Sequence, residues 1–143
     1  MNFDQNNPGV KLCARGMELE GEAKPMEALA LFNEAWSIAS NDFEKFTAAH
    51  YIARHQHSVE DKLKWDQTAL DHALTISDST VQAVLPSLYL NIGKCHEDLN
   101  DRNAALASYE AARSFIDNLQ NDGYGNMIRM GVQAGIDRVT KNQ

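Results

Sequence analysis

Cysteine is scarce: Cys13 and Cys95 stand alone, with no CxxC spacing. Two isolated thiols build neither a zinc site nor a disulfide framework, so both are expected to be reduced and half-buried. Proline is confined to Pro8, Pro25 and Pro86, and β-branched runs are missing. With so few breakers, a chain rich in Leu, Ala, Glu, Asp and Asn favours helix over strand. No apolar run approaches a membrane span, and Met1 to Pro8 lack the apolar stretch of a secretory signal, which points to a cytoplasmic chain. Positive charge is the minority, with 13 Lys and Arg against 20 Asp and Glu and a net charge of -7. Such a balance repels nucleic-acid phosphates and anionic membranes, so neither is an expected partner.

Catalytic signatures are missing as well. The chain has no GxGxxG after a strand, no GxxxxGK[ST] and no HExxH. It offers no strand–turn–helix to present a nucleophile. No cofactor, metal or enzymatic activity is therefore expected.

What remains is helical. The 143 residues are 43% hydrophobic, the size and composition of one domain with a packed core. Asn7 before Pro8 marks a helix start, and Pro25 opens a second helix. Asn41 with Glu44, Ser58 with Asp61 and Ser79 with Gln82 resemble capping boxes. These signals predict helix pairs over residues 8–39, 42–77 and 79–120, and a last helix over 124–141. In the fifth helix Val81, Leu85, Leu88, Ile92, Cys95 and Leu99 share one face, and Pro86 predicts a kink or a late start. In the first helix the apolar stripe Val10, Cys13, Ala14, Met17 is read as the packing face. Met127, Ile128, Val132, Ile136 and Val139 make the last helix amphipathic. Trp36 and Trp65 are expected in the core, with the convex surface as the alternative.

A repeat joins the two ends. Ala28, Leu29, Phe32 and Ala35 recur as Ala105, Leu106, Tyr109 and Ala112, each 77 residues later. Half of that offset is slightly above the roughly 34-residue period of a tetratricopeptide pair, leaving room for one longer pair between. In that middle pair Trp65/Ala69 and Leu70/Ala73 both fit the register. The stretch Leu88 to His96, with Gly93, followed by Ala105, Tyr109 and Ala112, resembles the tetratricopeptide consensus. Gly16 stands 77 residues before Gly93 but is set aside in favour of Ala14 as the packing residue.

The resemblance implies an all-α, right-handed superhelix of about three antiparallel helix pairs plus a C-terminal capping helix, in one domain. It also implies that the first helix of each pair lines a concave groove. Extending the third helix from Phe43 to His57 at about 100° per residue puts Phe46, Ala48, Ala49, Ile52 and Ala53 on the buried arc. The opposite arc carries Glu44, Thr47, His50, Tyr51, Arg54, His55 and His57. The corresponding face of the fifth helix carries Ser87, Leu90, Asn91, Lys94, Glu97 and Asp98, and that of the first carries Leu12, Arg15 and Leu19, with Glu22 beyond. Arg15, Arg54 and Lys94 would then form a basic row suited to an anionic group on a protein or peptide segment. His50 and His57, two turns or roughly 10 Å apart, are too distant to share a metal ion.

A protein- or peptide-binding scaffold is the reading these features favour. A small ligand- or peptide-responsive sensor, as in the similar bacterial pheromone regulators, is the alternative. A histidine-dependent acid–base enzyme ranks last. Exposed apolar residues on the last helix would also suit a homodimer.

Overall fold

The computed structural model describes residues 5–141, and every regular element among them is helical. The chain divides into two compact units, Met1–Ile76 and Ser77–Gln143.

The first unit holds α1 (Pro8–Gly21), α2 (Pro25–Ile38), α3 (Asp42–Ala53) and α4 (Val59–Ala73). Three of its starts fall on the residues that the sequence marks. The side chains of Asn7, Asn41 and Ser58 accept from the backbone N–H groups of Val10, Glu44 and Asp61 at 3.1, 2.9 and 3.1 Å. Each satisfies a donor that the helix itself leaves unpaired. α1 ends in a left-handed turn at Ala23, with φ 59°, where Lys24 N–H donates to the Leu19 carbonyl at 2.9 Å. Such a turn favours glycine, because a Cβ is strained there. Ala23→Gly should therefore raise stability by about 1 kcal/mol. Urea unfolding followed by tryptophan fluorescence measures it, and an unchanged midpoint would show the turn to be relaxed.

The packing of α1 corrects the expected stripe. Cys13, Gly16 and Leu19 are buried, whereas Ala14 and Met17 are exposed. Gly16 is the contact residue: a Cβ on it would lie 2.4 Å from the Phe32 ring. Phe32, Ala28 and Ala35 of α2 close a core with Cys13 and Leu19 from α1 and Ala48 and Ile52 from α3. Trp36 and Trp65 pack edge-to-face at its border, ring centroids 5.1 Å apart, and are half-buried. In α4, Asp66, Leu70 and Ala73 are buried at the same 4-then-3 spacing as Ala28, Phe32 and Ala35. Ala69 is buried as well and Trp65 is half-buried, so Leu70/Ala73 is the more deeply packed of the two pairs.

The second unit holds α5 (Ser79–Gln82), α6 (Leu85–Asp98), α7 (Arg102–Ser114), a 3-10 turn (Ile116–Asn118) and α8 (Gly123–Thr140). The predicted fifth helix is therefore two, and Pro86 sits in the first turn of α6, where its missing N–H costs nothing. α6 ends as α1 does: Asn100 has φ 63°, and Asp101 N–H donates to the His96 carbonyl at 2.9 Å. α7 packs on both α6 and α8. Tyr109, fully buried, is held between two glycines, since a Cβ on either Gly93 or Gly135 would come within 2.7 Å of its ring. From α8, Ile128, Val132, Ile136 and Val139 join this core, while Met127 is 59% exposed rather than part of the buried stripe.

Tyr109 hydroxyl donates to Glu97 Oε1 at 2.8 Å. The first unit has Phe32 at the equivalent place and needs no such bond. Tyr109→Phe should cost about 2 kcal/mol, the net worth of one hydrogen bond to a charged carboxylate, with packing unchanged. Far-UV circular dichroism during urea unfolding reads this directly; a loss of several kcal/mol would mean the hydroxyl organises more than one contact.

Candidate functional site

α1 and α3 lie side by side and run the same way: Glu20 near the end of α1 meets Arg54 and His55 just past the end of α3. Between them lies an open cleft of about 250 Å³. Val10, Cys13, Ala14 and Met17 line it from α1, and Phe43, Thr47 and Tyr51 from α3. The apolar stripe assigned to packing is therefore the wall of a cleft, and only Cys13 of it is buried. The walls are dry in chemical terms. Thr47 Oγ1 donates to the Phe43 carbonyl at 2.8 Å, so its polarity is spent internally. Burial pushes the Cys13 thiol up to about 11, which leaves it protonated and unreactive near neutral pH. Tyr51 is fixed by stacking on Phe32, centroids 5.0 Å apart, with the Arg54 guanidinium 4.7 Å from its ring centroid. Burial also raises the Tyr51 phenol above its ordinary value.

The 77-residue offset explains this face. Val10, Cys13, Ala14 and Met17 correspond to Ser87, Leu90, Asn91 and Lys94, the groove face expected on α6. In the second unit that face is partly closed. Ser87 is buried, and Leu90 packs into the core beside α8, where a Cβ on Gly131 would lie 3.1 Å from it. Leu90 is thus a packing residue and not an open anchor. Asn91 is half-buried, and Lys94 is exposed but donates to Asp98 at 2.9 Å.

The predicted histidine face is rearranged. α3 stops at Ala53, so Arg54, His55 and His57 do not continue its wheel. His57 lies in the following turn and is exposed. His50 is half-buried: its Nδ1 is enclosed without a hydrogen-bond partner, between Phe46 and Tyr51. Burial, reinforced by Arg54 and Lys62, pushes its imidazole down to about 4. His55 Nε2 lies 2.6 Å from Glu20 Oε2, and Arg54 donates to Glu20 Oε1 at 2.7 Å. Arg54, His55 and His57 border a second cleft of about 280 Å³ with Pro25, Met26 and Leu29.

Each cation of the expected basic row already has carboxylates. Arg15 contacts Glu18 at 2.8 Å and Glu22 at 3.4 Å, Arg54 holds Glu20, and Lys94 holds Asp98. Glu20 itself went unremarked in the sequence, although the offset pairs it with Glu97. Both carboxylates sit in the last turn of the first helix of a pair and accept from an arginine beyond it, Arg54 or Arg138. Donation from Arg138 holds the Glu97 carboxyl below its ordinary value.

A third cleft, of about 450 Å³, belongs to the second unit and is lined by Ser79, Thr80, Asn118, Gln120, Asp122 and Tyr124, among others. Asp122 in its wall is committed to capping α8 through Gly125 N–H at 2.7 Å. Among the described residues no group of three or more His, Cys, Asp or Glu side chains is placed to hold a metal ion. No described helix is long and apolar enough to cross a membrane. No family model matches the chain, and neither curated proteins nor solved structures match it.

Proposed function

We propose that the chain is a tetratricopeptide-like binding module that receives a peptide or protein segment in the cleft between α1 and α3. One observation carries this reading: an open groove two helical turns long whose walls are almost wholly apolar. Soluble proteins expose such surface where it is covered in use. The walls are also rigid. Tyr51 is stacked on a fully buried phenylalanine and Cys13 is packed into the core, so little side-chain order is lost on binding. Arg15, Arg54 and Lys94 act here as partners of Glu18, Glu20 and Asp98, not as ligands for an anion.

Selection of a displayed peptide library on the full chain tests the reading. The enriched peptides should carry apolar anchors and bind Ala14→Gln/Met17→Gln at least tenfold more weakly. Both positions are exposed and glutamine is a good helix former, so the variant should melt with the wild type. Enriched peptides that bind the variant equally well would remove the cleft as the site.

A further inference from the structure

The cleft of the second unit differs in chemistry from the apolar groove of the first. At about 450 Å³ it falls within the roughly 300–1,000 Å³ of small-molecule sites. The backbone around it is held from beneath. Arg129 donates to the carbonyls of Leu119 and Gln120 at 3.0 and 3.3 Å. The Leu119 side chain is buried in the core around Tyr109. Gly125 runs so close to the Gln120 carbonyl that no Cβ would fit there. Asp122 accepts from Gly125 N–H at 2.7 Å, which ties the start of α8 to the same turn. A wall fixed in this way spares a ligand the cost of ordering its site.

The side chains on this wall have hydrogen-bonding capacity to spare. Ser79, Asn118, Gln120 and Tyr124 line the cleft and are exposed, and among the described residues their side chains make no hydrogen bond. None of the described lining residues is Lys, Arg or His, and Asp122 alone is ionised. An anionic ligand would meet Asp122 with no free cation beside it, since the Arg129 guanidinium is spent on backbone carbonyls and on Asn126. An apolar ligand would strip water from two amides and two hydroxyls and pair none of them. A neutral, hydroxyl-rich ligand fits. Each amide sets an acceptor beside a donor, which matches adjacent hydroxyl groups. The Tyr124 ring, in a residue 51% exposed, offers a flat apolar face for the C–H side of a sugar ring. We infer that the second unit binds a neutral carbohydrate here, with the Asn118 and Gln120 amides on its hydroxyls and Tyr124 against one ring face. This site is separate from the groove between α1 and α3, and neither reading depends on the other.

Saturation-transfer NMR with the full chain tests the inference. The probes are cellobiose, maltose and diacetylchitobiose, with glucuronate and glucosamine as charged controls. At least one neutral disaccharide should take up saturation, most strongly on the hydrogens of one ring face. Its affinity should be indifferent to salt, because no ion pair forms. It should fall about tenfold in Asn118→Ala/Gln120→Ala, and the signal should vanish in Tyr124→Ala. All three positions are exposed, so both variants should melt with the wild type by circular dichroism. A disaccharide that binds Tyr124→Ala as well as the wild type sits elsewhere and overturns the inference. Tighter binding of glucuronate than of every neutral probe would make this an anion site and overturn it too. Absence of saturation in all three disaccharides removes carbohydrate as the ligand.

Discussion

Gly135→Ala should destabilise the second unit by about 2 kcal/mol, although alanine is the better helix former. Helix propensity alone favours the substitution by about 1 kcal/mol. Against it, the new methyl would meet three carbons of the Tyr109 ring at 2.6 to 2.7 Å. Those distances are far inside van der Waals contact, and overpacking of this kind costs about 1–3 kcal/mol. The ring has nowhere to go. It is fully buried, Gly93 backs it so closely that a Cβ there would lie 2.7 Å from it, and Glu97 holds its hydroxyl. Gly93→Ala should behave alike. In a Tyr109→Leu background both penalties should shrink or reverse, and urea unfolding by circular dichroism of the six proteins closes the two cycles. A Gly135→Ala protein more stable than the wild type would show that the ring is free to shift.

The second large effect is on acid stability. His50 has a folded-state value near 4 against an ordinary value of 6.5. Its folded form binds fewer protons than its unfolded form throughout that interval. Stability therefore rises with pH between about 4 and 6.5 and is lost on acidification through the same window. One histidine shifted this far accounts for about 3 kcal/mol, fully expressed below pH 4. His50→Leu should abolish that part of the slope. At neutral pH it should be neutral or mildly stabilising, because the enclosed Nδ1 has no partner to lose. Melting temperatures of both proteins from pH 4 to 7.5 give the difference curve, from which the other titrating groups cancel. Parallel curves would place the His50 ring in water.

Much of the fold was legible because it rests on local chemistry. Asn7, Asn41 and Ser58 cap helices in the structure as their positions announce, and Pro86 enforces the late start of α6. Matched alanines and aromatics at one offset located α2 and α7. The candidate site was harder to read, for two physical reasons. α1 carries two apolar faces, one on the core and one on the cleft, and hydrophobicity does not tell them apart. Choosing the longer stripe over the offset displaced Gly16 by Ala14. The third helix gives no stop signal at Ala53, neither glycine nor proline, so its wheel ran on through Arg54, His55 and His57, which lie beyond it. Ion pairs between elements, such as Glu20 with Arg54, leave no local trace, though the paired Glu20 and Glu97 did.

Each unit closes its own hydrophobic cluster, Phe32 at the centre of one and Tyr109 at the centre of the other. Both tryptophans of the chain, Trp36 and Trp65, belong to the first. Indole emission is therefore a private reporter of residues 1–76, whereas ellipticity counts the helices of both halves. Unfolding traces from the two signals need not superimpose, and a gap between their midpoints would measure how far the halves melt as separate cooperative bodies. A ligand seated between α1 and α3 would then move the fluorescence midpoint first, marking the half that it occupies without any label attached to the protein.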